Sequence, residues 1–314
     1  MAVLYWLESI RKPWLDFIMQ AFTYLGNEKL FLIIALTVFW CVSKRDGIYL
    51  LFVGFVGTVL NQFLKLVCRI PRPWVRAEQA GKEFTIVKSA KADAGGYSFP
   101  SGHTQSVAGN LGGIARVTKR KWLRIVCIVL LLLTSFSRMY LGVHTPQDVV
   151  VSLAIAAVLI FALYPLVRRA VEKPKLMYLL LGVLLLIALA YMLYANLAQF
   201  SGLGEEDMEN VNEARKNSFS LFGAMLGFTI AYPLEQRYIR FKEQAVWWVQ
   251  ILKTVLGFGC VLGLLAGLKA LFGTDTRLAL NIVRYGFVVF FAAAVWPLAF
   301  PLLSRLSEPK KETE

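Results

Sequence analysis

The residues best suited to chemistry fall in three short stretches. The chain has only two histidines, His103 and His144, among 314 residues. One stretch runs from Lys65 to Arg72 and Pro73, the second from Tyr97 through Pro100, Ser101 and Gly102 to His103, and the third from Ser137 and Arg138 to His144 and Asp148. Lys65, Arg72 and Arg138 put three cations beside apolar runs, where an unpaired charge costs roughly 2.5–3.5 kcal/mol at a helix centre, so an anionic partner is expected. Arginine matches phosphate oxygens two at a time through its planar fork, and lysine adds a compact charge. Pro100, Ser101 and Gly102 read as a helix start: proline stops the preceding chain, serine caps, glycine lets a ligand approach the backbone, and the free amides favour an anion. Together these features describe a phosphate cradle.

A nucleophile and a proton donor can be assigned within the same set. Asp148 follows His144 by four residues, which places both on one helical face if a helix begins near Pro146. A carboxylate there fixes the imidazole tautomer and stabilises the cation that forms during attack. His144 is then the expected nucleophile, giving a phosphohistidine. His103 is left to protonate the leaving alkoxide and later to activate water. Both histidines fall in cationic clusters, as convergence on one pocket requires.

The elements that must position these groups are membrane spans. Hydrophobic residues make up 57% of the chain and charged ones 17%, against about 45–50% and 25% in an ordinary soluble domain. A spanning helix needs about 20 mostly apolar residues. Runs of that kind lie at about 26–43, 47–68, 102–118, 122–142, 147–167, 175–198, 217–234, 246–271 and 280–303. The expected fold class is all-α, a polytopic integral membrane helical bundle of about nine transmembrane helices. An N-terminal interfacial helix precedes them, with Trp6, Trp14, Phe17 and Phe22 set against Arg11, Lys12 and Asp16. The 102–118 run is the weakest, because His103, Gln105, Ser106 and Asn110 interrupt it; such polar groups face a cavity or a neighbouring helix.

Alternation of the spans gathers Lys44 and Arg45, Arg116 to Arg124, Arg168 to Lys175, Arg237 to Lys242, and Arg305, Lys310 and Lys311 on one side. By the positive-inside rule that side is cytoplasmic. The three reactive stretches and the acidic run Glu205, Glu206, Asp207 and Glu209 fall on the other. The formal net charge of +14 thus sits mostly in short turns between apolar runs, not on the basic face of a nucleic-acid-binding module. Cys41, Cys68, Cys127 and Cys260 are too far apart in sequence for a metal or disulfide framework and read as structural thiols. Residues 1–22 carry too many charges for a cleavable signal peptide.

Lys65, six residues, then Arg72-Pro73; Pro100-Ser101-Gly102-His103; and Ser137-Arg138, five residues, His144, three residues, Asp148: this order and spacing resembles the three-part signature of the type-2 phosphatidic acid phosphatase superfamily. All defined positions match. The resemblance implies a membrane lipid phosphate phosphatase in which Lys65, Arg72 and Arg138 bind phosphate with Ser101 and the amide of Gly102. It further implies His103 as the acid, His144 as the nucleophile and Asp148 as its orienting partner, with no metal or other cofactor required. The expected partners are a lipid phosphate or diphosphate and the bilayer.

The signature covers residues 1–170, the expected phosphatase core, and leaves 171–314 as a C-terminal transmembrane extension. In that extension Lys253, Lys269, Arg277 and Arg284 are expected to snorkel at helix ends, and Trp247, Trp248 and Trp296 to anchor at the interface. The family's core usually has six helices with the first cluster after the third. Here the first cluster follows the second clear span, and the N-terminal amphipathic segment stands where a helix is missing. A lipid phosphotransferase would use the same intermediate. An anion or lipid transporter is the rival from another class, but it predicts an internal repeat that residues 26–170 and 171–303 do not display. Short connections and the lack of an Asn-x-Ser/Thr acceptor point to a bacterial plasma membrane, with the site facing away from the cytoplasm.

Overall fold

In a computed structural model, every regular element among the described residues is helical. The description covers residues 1–91, 94–200, 202–273 and 278–306, with the backbone alone at 206; Arg277, Lys310 and Lys311 fall outside it. In chain order the helices are α1 (Ala2–Ser9), α2 (Pro13–Tyr24), α3 (Glu28–Cys41), α4 (Lys44–Cys68), α5 (Pro73–Gln79), α6 (Lys88–Lys91), α7 (Gly102–Val107), α8 (Gly113–Val117), α9 (Lys121–Tyr140), α10 (Pro146–Glu172), α11 (Pro174–Leu197), α12 (Glu205–Leu234), α13 (Trp247–Phe272), α14 (Leu280–Phe290) and α15 (Phe300–Arg305).

Six of the helical stretches described are long and apolar enough to cross a membrane: Lys44–Gln79, Lys121–Tyr140, Pro146–Glu172, Pro174–Leu197, Trp247–Phe272 and Leu280–Arg305. A seventh span arises if α2 and α3, which meet at a 45° bend, are taken as one. The all-α membrane bundle is as expected, while six or seven stretches among the described residues meet this test against the nine expected, and the three runs that fall short do so for different reasons. The 26–43 run is the second limb of that bent pair. The 102–118 run is short and is interrupted by a π-helical turn at Ala108–Gly112, with Thr104, Gln105 and Asn110 turned inward. The 217–234 run is the end of α12, whose first half is rich in Glu, Asn, Arg and Lys. Such polar helices among apolar ones are where a membrane protein can afford a site.

The chain divides into two compact units, each assembled from separated segments: one from Met1–Ala35, Tyr49–Glu172 and Leu197–Ala214, the other from Leu36–Ile48, Lys173–Asn196 and Arg215–Glu314. In the first unit, proline opens α2, α5 and α10 at a helix's first turn, where its missing N–H is no loss. Leu4, Leu7 and Met19 of α1 and α2 pack with Ala90, Ala94, Tyr140, Leu141 and Val143 in a buried cluster. The N-terminal helices are thereby docked onto the turn that follows α9. Polar contacts lock this join: the Tyr140 hydroxyl donates to Asp16 Oδ1 (2.8 Å) and accepts from the Lys12 amide (3.2 Å). Arg11 donates to the carbonyls of Tyr140 (2.9 Å) and Thr85 (2.6 Å). Gly142 turns the chain at φ +83°, a conformation that favours glycine, and a β-carbon there would stand 2.7 Å from Arg11 Nη2 and displace that guanidinium. The exposed faces of α1 and α2 carry Trp6, Trp14 and Phe17, in keeping with an interfacial position.

In the second unit, α12 and α14 cross with their backbones in contact at Gly223 and Ile282, and at Gly227 and Gly286, the close approach that small residues permit between membrane helices. Trp40 is fully buried and donates from Nε1 to the Ala292 carbonyl (2.9 Å). Two expectations fail in this unit. Lys253 does not snorkel; it is fully buried, with Nζ 3.3 Å from the Glu243 carbonyl and 4.7 Å from the centre of the Phe300 ring. Arg284 is likewise buried, whereas Lys269 is exposed. Trp296 is no interfacial anchor: it is buried and donates to the Lys253 carbonyl (3.1 Å). Trp247, by contrast, is exposed. All four cysteines are free.

Candidate active site

The three reactive stretches are joined to one another in the first unit by hydrogen bonds. Arg72, nearly buried at the entrance to α5, is the hub. Its Nε donates to the Gly96 carbonyl (2.9 Å), Nη2 to the Gly95 carbonyl (2.5 Å), and Nη1 both to the Val143 carbonyl (3.0 Å) and to His144 Nε2 (3.0 Å). Four of the five N–H groups of a guanidinium are thus engaged, and one on Nη2 is left to meet a ligand. Gly96 has φ +69°, a conformation that suits glycine and turns its carbonyl toward Arg72.

Asp148 is the second junction. Its Oδ2 accepts from Ser98 Oγ (2.6 Å) and from the Thr145 amide (2.7 Å), and lies 3.5 Å from His144 Nδ1. Its carbonyl accepts from the Ser101 amide (3.3 Å), while Ser152 Oγ, one turn along α10, donates to the Ser101 carbonyl (3.0 Å). The Ser98 amide in turn donates to the Ile70 carbonyl (2.9 Å). Ser101 caps α7 by accepting from the Thr104 amide (3.4 Å), so Gly102 is the first helical residue and His103 the second. The His103 backbone is crossed closely by Gly26, where a β-carbon would stand 2.8 Å from the His103 carbonyl oxygen.

Arg138, fully buried at the end of α9, donates from Nη1 to Thr23 Oγ1 (2.5 Å), and its carbonyl accepts from the amides of Val143 (3.2 Å) and His144 (3.3 Å). Lys65 is half-buried near the end of α4, with Nζ 3.9 Å from where a β-carbon on Gly96 would stand.

The tautomer of His144 follows from these contacts. Arginine has no acceptor, so the nitrogen facing Arg72 must carry a lone pair, and the proton belongs on Nδ1, toward Asp148. Burial holds the His144 pKa well below its ordinary 6.5, and the positive charge of Arg72, Arg138 and Lys65, with His103 beside them, pushes the same way. The ring is neutral at neutral pH, as a nitrogen nucleophile has to be.

All eight residues singled out in the sequence therefore belong to this unit. Arg72, His144, Asp148 and Ser101 are joined directly or through one intermediate group. Lys65, Gly102, His103 and Arg138 adjoin that core. The sequence did not single out Ser98, Thr145, Thr23 or the carbonyls of Gly95, Gly96 and Val143. Ser98 and Thr145 lie inside the quoted stretches, but their side chains carry no distinguishing charge; Thr23 has no sequence signal at all. Among the described residues, no three His, Cys, Asp or Glu side chains gather as metal ligands would.

The first unit thus places the His144–Asp148 pair against buried Arg72 and beside the capped start of α7. Comparison with known proteins gives this arrangement a family. The PAP2 superfamily pattern matches residues 46–172, and that of the transmembrane extension of PAP2 superfamily phosphatases matches residues 219–309. Phosphatidylglycerophosphatase B of Bacillus subtilis (strain 168) is 30% identical over 179 residues, 53% of this chain and 80% of that protein. Undecaprenyl-diphosphatase BcrC of the same organism is 35% identical over 123 residues, 39% of this chain and 58% of that protein. The undecaprenyl-diphosphatase of Sulfolobus acidocaldarius is 30% identical over 127 residues, 40% of this chain and 57% of that protein. No solved structure matches the chain. The chain belongs to the PAP2 superfamily, and it is an integral membrane enzyme of the phosphatase class.

Proposed function

We propose that this protein removes the terminal phosphate from a lipid phosphate or diphosphate, without a metal, through a phosphohistidine on His144. The observation that carries the reading is the 3.0 Å contact between Arg72 Nη1 and His144 Nε2, with Asp148 on the other ring nitrogen. It fixes the lone pair on Nε2, and an incoming phosphoryl group draws the Arg72 N–H away from the ring to its own oxygens, which frees that lone pair for attack.

In the first step His144 Nε2 bonds to phosphorus as the bond to the lipid oxygen breaks. The charge spread over the equatorial oxygens is met by Arg72, Arg138, Lys65, Ser101 and the Gly102 amide, which do the neutralising that a metal does elsewhere. Burial and the nearby cations hold His103 well below its ordinary pKa when the cradle is empty; the bound phosphate offsets those cations and brings a proton onto the ring, which His103 then gives to the departing oxygen of the lipid. As Nε2 becomes bonded the ring gains positive charge, and Asp148 stabilises it through Nδ1–H. In the second step His103 takes a proton from water, the oxygen attacks phosphorus, and the nitrogen–phosphorus bond breaks to release inorganic phosphate and neutral His144.

The proposal includes a division into a phosphatase core over 1–170 and a transmembrane extension over 171–314, supported by the separate family matches at 46–172 and 219–309. It also includes a bacterial plasma membrane and a site facing away from the cytoplasm, supported by the basic turns on the opposite side. The test is phosphate release from a panel of lipid phosphates and diphosphates by purified protein in EDTA, with His144→Ala alongside. Release by the intact protein and none by the variant is expected. A need for added divalent metal, or full release by His144→Ala, would overturn the mechanism.

A further inference from the structure

The cradle is closed on most sides. Ser98, Ser101 and Arg138 are fully buried, and His144, Asp148 and Arg72 nearly so, whereas Lys65, Gly102 and His103 keep partial exposure. A substrate whose phosphorus faces His144 Nε2 leaves its remaining atoms past these three partly exposed residues, Lys65 among them. On the Lys65 side a small cavity of about 30 Å³ is lined by Gln62, Lys65, Gly96, Tyr97, Asn210 and Glu213, among others. Asn210 and Glu213 come from the start of α12, a stretch that packs in the same unit yet lies between the two family-matched regions and in neither. Glu213 is exposed, and its Oε2 is 3.9 Å from where a β-carbon on Gly96 would stand, the same distance as Lys65 Nζ.

A carboxylate here meets whatever follows the reacting phosphate. In a phosphomonoester lipid the next group is an uncharged carbon backbone, whose hydroxyls can donate to a carboxylate. In a lipid diphosphate it is a second anionic phosphate, which the carboxylate repels. We propose that Glu213 is a specificity-determining residue that selects lipid phosphomonoesters over lipid diphosphates, an inference that rests on the phosphatase reading above. Asn210 beside it supplies a neutral polar contact that tolerates either headgroup. The discrimination is electrostatic and close to water, so it weakens as salt rises.

The test compares kcat/KM for phosphatidic acid and for farnesyl diphosphate in detergent and EDTA at low ionic strength, using the full chain, with His144→Ala as the blank. Glu213→Gln should raise the diphosphate-to-monoester ratio about fivefold, chiefly through a lower KM for the diphosphate. Glu213→Asp should return the ratio toward wild type. Asn210→Asp, which adds a carboxylate to the same wall, should lower it. A ratio that moves less than twofold in Glu213→Gln, or as far in Glu213→Asp as in Glu213→Gln, would overturn the inference and leave the phosphatase reading standing. Release by the wild-type chain from neither lipid, nor from any other lipid phosphate or diphosphate of the panel, would overturn both.

Discussion

Replacing Arg72 with lysine separates two jobs that a cation in a phosphate cradle can have. A lysine keeps the charge but concentrates its donors at one point, whereas Arg72 spans four acceptors: the carbonyls of Gly95, Gly96 and Val143, and His144 Nε2. An ammonium there can satisfy one or two of them. The bonds to Val143 and His144 are buried, and those to Gly95 and Gly96 only partly so; a buried acceptor left without a donor costs about 1–3 kcal/mol, and one that water reaches costs less. Two or three such losses, partly relaxed, come to about 3–4 kcal/mol, or a hundredfold to a thousandfold in rate if they fall on the geometry of attack. The expected result for Arg72→Lys is a kcat lower by about that factor, with a smaller change in KM. It is measured by phosphate release from a lipid monoester, with circular dichroism to show that the helices persist. A variant that keeps kcat within threefold of wild type and shows only a raised KM would refute this reasoning. It would mean that Arg72 acts on the phosphate as a bare charge and does not hold His144.

Tyr140→Phe removes a buried hydroxyl that joins Asp16 and the Lys12 amide; it should cost about 1–2 kcal/mol of stability, seen as a lower thermal midpoint in detergent with the site residues untouched. The pH dependence of stability follows from His144: with the folded pKa held well below 6.5, its contribution is complete above that value and is lost as the pH falls below it, because the unfolded ring takes up a proton that the buried one refuses. His144→Gln, a neutral replacement of similar size, should therefore lose less stability than wild type between pH 7 and pH 5 in a denaturant titration; an equal loss would show that other groups set the acid sensitivity.

The chemistry was easier to read in the sequence than the architecture. Only two histidines occur, so His103 and His144 stand out by type; Lys65, Arg72 and Arg138 stand out only by their spacing from them and from each other, and Pro146 and Ser101 mark helix starts by well-understood local rules. The wiring was not legible. Gly95, Gly96 and Val143 contribute only carbonyls, which every residue possesses, and Thr23 is one hydroxyl in an amphipathic helix. Hydropathy reports composition, not continuity, so it counted as spans a bent pair, a short run broken by a π-helical turn at Ala108–Gly112, and the apolar end of α12. Lys253 and Trp296 were misjudged for a related reason. Each has an amphipathic side chain that suits an interface equally well, and only tertiary contacts with Glu243 and Phe300 draw Lys253 inward.

Because Arg138 Nη1 is held by Thr23 and the turn before His144 is braced by Arg11 and Leu4, the amino-terminal two dozen residues are part of the enzyme's working scaffold. Trimming them to ease expression would loosen the very arginine expected to grip the phosphoryl group.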